Sequence, residues 1–231
     1  MKTLLFCPTY RLAPETVESI MRQTHTDQLD IFFSRWNPEM EDLREIHCWQ
    51  FERARQLIID GEYDALFLVE SDMVIPPHAL QALEACSSPC ASGLYVFREN
   101  GYPYSARAFR NNMTKPGKPI NHFKPELGEA WGRPIRVSGL GFGCCLLRGE
   151  ALRVPMRVDG KGYSDWPFAV DLLNLGIEMV CHTGVVCGHK QPDGTILWPT
   201  MSGQCLEERG TKENWDLRNV IHAPDRFRVN A

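Results

Sequence analysis

The sequence has no apolar run approaching the roughly 20 residues of a membrane-spanning helix, and no internal repeat or low-complexity segment. It has no surplus of positive charge either: 25 Lys and Arg stand against 29 Asp and Glu, a net charge of −4. A general nucleic-acid binder carries a basic stripe over phosphate, so nucleic-acid binding is not expected and any phosphate contact should be local. The opening stretch Met1-Lys2-Thr3-Leu4-Leu5-Phe6-Cys7 is too short for a secretory leader. Phe6 before Cys7 makes a poor lipidation site. These readings imply a cytoplasmic location with no transmembrane segment.

Paired C-x2-C knuckles are missing too, although there are nine cysteines. Cys7, Cys144, Cys145 and Cys181 sit in apolar runs, where a free thiol behaves as a small hydrophobe. Without a leader, a disulfide framework is not expected. Cys86-x3-Cys90 and Cys187-Gly188-His189 are candidate zinc ligands, but they lack the knuckle spacing.

What is present is ordinary in bulk. The 231 residues are 43% apolar and 23% charged, enough to bury a core in one domain. The first hundred residues alternate strand and helix. Strands are expected at 3–7, 30–33, 65–69 and 91–96. Helices are expected at 14–24, 41–60 (with Gly61 as a left-handed cap) and from Pro76-Pro77 to about Cys86. Residues 65–69 form a continuous apolar run, as a central strand covered on both faces requires. This order argues for an α/β doubly wound sheet. Residues 98–134 show no period, and so long a loop in a compact domain is more often functional than idle. Further strands are expected at 135–138, 144–147, 177–181 and 185–187, and a helix from Ser164 to a stop at Gly176. The remainder is polar and reads as an arm, giving a domain over 1–190 and an arm or lid over 191–231.

The sharpest local signal is Glu70-Ser71-Asp72 at the carboxyl end of the apolar strand. Ligands of open α/β sheets bind beyond such ends. Two carboxylates there are costly to desolvate unless paired or metal-bound. Hard oxygen ligands suit Mg2+ or Mn2+, with a diphosphate completing the shell. The plainer reading is a pair of solvated loop acids. Gly139-Leu140-Gly141-Phe142-Gly143 is spaced G-x-G-x-G with no helix after it, which does not match a dinucleotide fingerprint. It lets backbone approach a ligand closely, or marks a bend. Asp165 opens a helix and is either a cap or a proton acceptor. Trp166 is either a sugar platform or a core residue. Arg53 and Arg55 are either phosphate contacts or an exposed helix face.

Taken together, these segments resemble GT-A glycosyltransferases, similar to the family 2-like nucleotide-sugar transferases. The stretch from Phe67 to Pro77 resembles the D-x-D segment, with Glu70 in place of the first Asp. Pro8-Thr9-Tyr10-Arg11 resembles the first-strand loop that holds base and ribose. Glu52-Arg53-Ala54-Arg55-Gln56 resembles the helix that presents an arginine near the nucleotide. The glycine run, centred on Gly141, resembles the loop that approaches the donor or acceptor sugar. Ser164-Asp165 resembles the acidic helix start, with Ser164 where glutamate is usual, and His189 resembles the C-terminal metal-ligand histidine. The resemblance covers about residues 4–189 and rests on the order of the motifs. It implies a GT-A mixed sheet flanked by helices and a nucleotide-diphosphate-sugar donor. It also implies Mn2+ or Mg2+ on Asp72, Glu70 and His189, with Ser71 in the same donor loop. Asp165 would be the base toward an acceptor hydroxyl, which favours inversion. Two other readings stay open: a non-catalytic nucleotide-sugar-binding module, and a nucleotidyltransferase, for which Pro8 to Pro14 lacks the glycines.

Overall fold

The computed structural model describes residues 1–9, 12–24, 27–35, 42–61, 63–99, 102–106, 108–109, 130–160, 163–202 and 205–209. Tyr10, Arg11, most of the 98–134 segment and everything after 209 lie outside the described residues. The chain runs β1 (Thr3–Pro8), α1 (Pro14–Met21), β2 (Leu29–Ser34), α2 (Leu43–Asp60), β3 (Ala65–Val69), β4 (Met73–Val74), α3 (Ala79–Ala85) and β5 (Cys90–Leu94). It continues through β6 (Val96–Glu99), β7 (Tyr102–Ala106), β8 (Ala108–Phe109), β9 (Pro134–Val137), β10 (Gly139–Leu140) and β11 (Cys144–Arg148). After a 3-10 turn come α4 (Asp165–Asn174), β12 (Met179–Val186), β13 (Gly188–Lys190), β14 (Thr195–Pro199) and β15 (Cys205–Arg209).

Seven strands form the main sheet in the order β2-β1-β3-β11-β5-β12-β9. β1 is parallel to β2 and β3, and β5 is parallel to β12. β11 runs antiparallel between β3 and β5, and β9 closes the edge antiparallel to β12. The sheet is mixed, as the resemblance implies. Chain order does not disclose the insertion of β11. Cys144 to Leu147 are buried on both faces, which suits a central position. Because β11 is antiparallel and pairs Cys144 with Val69, the glycine loop before it lands beside the carboxyl end of β3. The two strands expected over 177–187 are one, β12, with an irregular step between His182 and Val186.

Strand alternation divides the core into two layers. Leu4 and Phe6 of β1 and Leu66 and Leu68 of β3 face Phe51, Ala54 and Ile58 of α2 and Phe168 and Leu172 of α4. Leu5, Cys7, Phe67 and Val69 face Ile20 of α1 and Leu80 and Leu83 of α3. Each fully buried side chain of this size stabilises the fold by about 1.5–3 kcal/mol. All nine cysteines are free thiols, and seven are buried. Among the described residues no helix is long and apolar enough to cross a membrane.

A second sheet, ordered β15-β14-β13-β4, crosses the carboxyl edge of the first. Its β4 begins directly after the acid triplet. β13 pairs antiparallel with β4, setting His189 opposite Met73 and Gly188 opposite Val74.

The helix ends test the glycine readings separately. Gly176 has φ +70, with Ile177 N–H on Leu172 O at 2.9 Å and Gly176 N–H on Leu173 O at 3.1 Å. That is a Schellman stop closing α4. Gly61 is not the left-handed cap expected: its φ is −104 and its backbone is extended. A Cβ there would meet Leu57 O at 2.6 Å, so close approach, not a positive φ, requires glycine.

Candidate active site

Glu70, Ser71 and Asp72 form a tight turn pinned from three sides. Glu70 N–H donates to Gly143 O at 3.1 Å, and Met73 N–H closes onto Glu70 O at 3.1 Å. Ser71 O accepts from Ala13 N–H at 2.9 Å and from the Thr16 hydroxyl at 3.1 Å. Asp72 O accepts from Lys190 N–H at 2.8 Å. The backbone of all three residues is thus held by α1, the glycine loop and β13, which leaves the two carboxylates to project beyond the sheet.

Asp72 and His189 meet across this edge, Oδ2 to Nε2, at 3.4 Å. His189 Nδ1 lies 3.0 Å from Val96 O. A carbonyl only accepts, so Nδ1 carries the hydrogen, and in the neutral ring Nε2 presents a lone pair to the carboxylate. Two acceptors facing each other require positive charge between them, either a proton or a cation. Burial pulls the His189 pKa down, but the charge and hydrogen bond of Asp72, then the charge of Glu70 and the Val96 carbonyl, outweigh it, and the net shift is upward. Nearby Cys7 is pushed well up by burial and further by Asp72 and Glu70. Both shifts report one local negative field. Tyr95 wedges the histidine: its ring meets His189 edge-on at 5.8 Å, and its hydroxyl accepts from Gly143 N–H at 3.2 Å.

Glu70 points elsewhere. Its Oε1 lies 2.9 Å from His47 Nε2, and His47 Nδ1 lies 3.3 Å from Ser164 Oγ. Among the described residues no three His, Cys, Asp or Glu side chains form a group able to hold a metal ion. Asp72 and His189 come together; Glu70 joins the neighbouring chain through His47 to the start of α4. There Ser164 makes no side-chain cap bond, and Asp165 Oδ1 accepts Trp166 N–H at 2.9 Å. Asp165 is 8% exposed and Trp166 43%, so Trp166 is not a core residue. Edge-to-face contacts of Phe142 with Phe51 and Phe168, both with centroids 5.3 Å apart, lock α2, the glycine loop and α4 together.

The remaining residues are placed as follows. Pro8 ends β1 opposite Ser34. Thr9 is buried and gives both its N–H and its hydroxyl to Ser34 O. Gly141 is buried in the glycine loop. Arg53 lies over the rings of Phe32 and Trp49, at 5.9 and 5.6 Å. Arg55 is buried rather than exposed, bonding Glu52 and, at 2.9 Å, Leu152 O. Lys190 is buried against Glu15 at 2.6 Å. Sequence reasoning missed His47 and Tyr95. The one signal for His47 is its place near the start of α2, which stands over the carboxyl ends of the strands.

No protein-family model matches the sequence. No curated protein matches it either. Solved structures do. A197 from STIV superposes with a TM-score of 0.56 at 16% identity, covering 93% of this chain and 97% of that one. GalNAc-T7, solved with UDP, GalNAc and Mn2+, superposes with a TM-score of 0.53 at 11% identity, covering 82% of this chain and 44% of that one. The fold is the GT-A fold. TarS residues 1–349 from S. aureus, in complex with UDP, reaches a TM-score of 0.48 at 13% identity over 78% of this chain and 57% of that one.

Proposed function

We propose that the protein is a metal-dependent glycosyltransferase that moves a sugar from a nucleotide-diphosphate donor to an acceptor hydroxyl. The observation that carries this reading is the Asp72–His189 pair, a carboxylate oxygen and an imidazole nitrogen facing each other at 3.4 Å. A carboxylate oxygen and a neutral imidazole nitrogen fit Mn2+ or Mg2+, and the Val96 carbonyl orients the ring by accepting its Nδ1 hydrogen, as the partners behind metal-bound histidines do. Bound there, the ion supplies positive charge to the leaving diphosphate. GalNAc-T7, which shares the fold, was solved with UDP, GalNAc and Mn2+, which supports a nucleotide-sugar donor. Asp165 orients the acceptor hydroxyl and takes its proton at the carboxylate, an arrangement that favours inversion. Residues 1–190 form the donor-binding and catalytic domain, and residues 191–231 an arm that helps exclude water. The setting is cytoplasmic.

The test is a screen of nucleotide sugars with Mn2+ by thermal shift, followed by transfer and donor-hydrolysis assays. Ligand that binds the native state alone raises apparent stability, so the donor with Mn2+ should raise Tm. Asp72→Ala should lose both the shift and turnover. Wild-type turnover in that variant would overturn the metal assignment, and product-anomer NMR decides inversion. The engagement of Glu70 by His47 favours a second reading, a nucleotide-sugar-binding module without turnover. Donor binding with neither hydrolysis nor transfer across several metals is its signature.

A further inference from the structure

We infer that His47 is a positioning residue that joins the acid turn to the start of α4, and that Glu70 serves this bridge rather than the metal. The hydrogen-bond chemistry sets the direction of the chain. A carboxylate accepts, so the 2.9 Å contact with Glu70 Oε1 places the hydrogen on His47 Nε2. With a single proton on the ring, Nδ1 is the bare nitrogen, and the Ser164 hydroxyl donates to it across 3.3 Å. The ring is held by packing, edge-on to Phe51 at 4.3 Å and to Tyr163 at 5.4 Å. Ser164 is 0% exposed and makes no cap bond.

The two departures from the motif pattern, Glu70 and Ser164, become one feature in this geometry. Glutamate is one methylene longer than aspartate and reaches the imidazole. Serine is shorter than glutamate and leaves room for the ring while still donating to it. An aspartate at 70 would draw back from Nε2, and a glutamate at 164 would set a second carboxylate against the histidine. The order hydroxyl–imidazole–carboxylate is also that of a nucleophilic triad, but full burial of Ser164 keeps any substrate from its oxygen. The bridge therefore acts on position. It fixes the first turn of α4, and with it Asp165, against the acid turn that bears Asp72.

The kinetic part of the test rests on the sugar-transfer reading; the spectroscopic part does not. Nitrogen NMR of the histidine rings should show one neutral ring protonated at Nε2 with a slowly exchanging proton, assigned by its loss in His47→Gln. That ring should change in Glu70→Asp. A ring protonated at Nδ1, or one indifferent to Glu70→Asp, overturns the inference. In the transfer assay, Glu70→Asp and Ser164→Ala should lower kcat, by up to about 100-fold for an ångström of misplacement, while donor and Mn2+ affinity stay within about twofold. His47→Gln, whose amide can replace Nε2 toward Glu70, should retain more activity than His47→Ala. A fall in Mn2+ or donor affinity at unchanged kcat would return Glu70 to the metal and overturn the bridge. If the wild-type protein transfers no sugar, the functional reading fails and the NMR result alone decides the bridge.

Discussion

Replacing Gly143 by alanine tests whether the site is built on close packing. A Cβ at Gly143 would lie 2.7 Å from Tyr95 Cζ, 2.8 Å from Tyr95 Cε1 and 3.0 Å from Met73 Sδ. Tyr95 is buried, and its hydroxyl is bonded to the Gly143 N–H itself, so the ring can retreat only by pressing on His189 and breaking that bond. Overpacking of this kind costs about 1–3 kcal/mol, and the lost hydrogen bond adds about 1 kcal/mol. The expected destabilisation is roughly 2–4 kcal/mol, which a domain stable by about 5–15 kcal/mol survives. Urea unfolding followed by the fluorescence of the six tryptophans measures it. Gly149→Ala is the control: it has φ +54 and nothing within 4 Å, so it carries only the left-handed backbone penalty of about 1–2 kcal/mol. Adding Tyr95→Ala should relieve the Gly143→Ala clash, giving a clearly non-additive cycle. A Gly143→Ala protein within about 0.5 kcal/mol of wild type, or an additive cycle with Tyr95→Ala, would refute the wedge.

Two more expectations concern titration. In EDTA, the raised His189 pKa means that the folded state binds this proton more tightly than the unfolded chain. The stability it contributes is complete below the ordinary value of about 6.5, and is lost as pH rises through the raised native value. His189→Gln should flatten that fall in the urea midpoint, whereas an unchanged slope would sink the Asp72–His189 assignment. With Mn2+ present the dependence should reverse, because protons compete for Nε2. Thiol reactivity gives a separate check. Burial holds Cys181 up at about 12 and pushes Cys7, Cys145 and Cys187 well up, so native protein at neutral pH should be alkylated first at the half-buried Cys86 and Cys205. Rapid labelling of Cys145 or Cys187 without unfolding would contradict the packing of β11 and of the junction between β12 and β13.

The sequence alone determined the main strands and helices as far as β5, and the acid turn; the short strand β4 and the strands β6, β7, β8, β14 and β15 carry no pattern that it disclosed. Residues 65–69 are apolar at every position, and only a strand covered on both faces accommodates that run. The carboxylates that follow had to leave the sheet at its carboxyl end. Gly176 was legible as a stop because a Schellman end demands a positive φ that glycine adopts freely. Gly61 was misread because a close carbonyl, not a dihedral, makes glycine necessary there, and the carbonyl's position depends on how α2 ends. Which acid meets which partner was beyond local pattern. Asp72 finds His189 because β13, more than a hundred residues downstream, pairs with β4. Glu70 finds His47 because α2 lies across the sheet with its first turns over the strand ends. Pairing register and helix packing are long-range properties of the folded chain, and they divided two neighbouring acids between a candidate cation site and a hydrogen-bonded bridge.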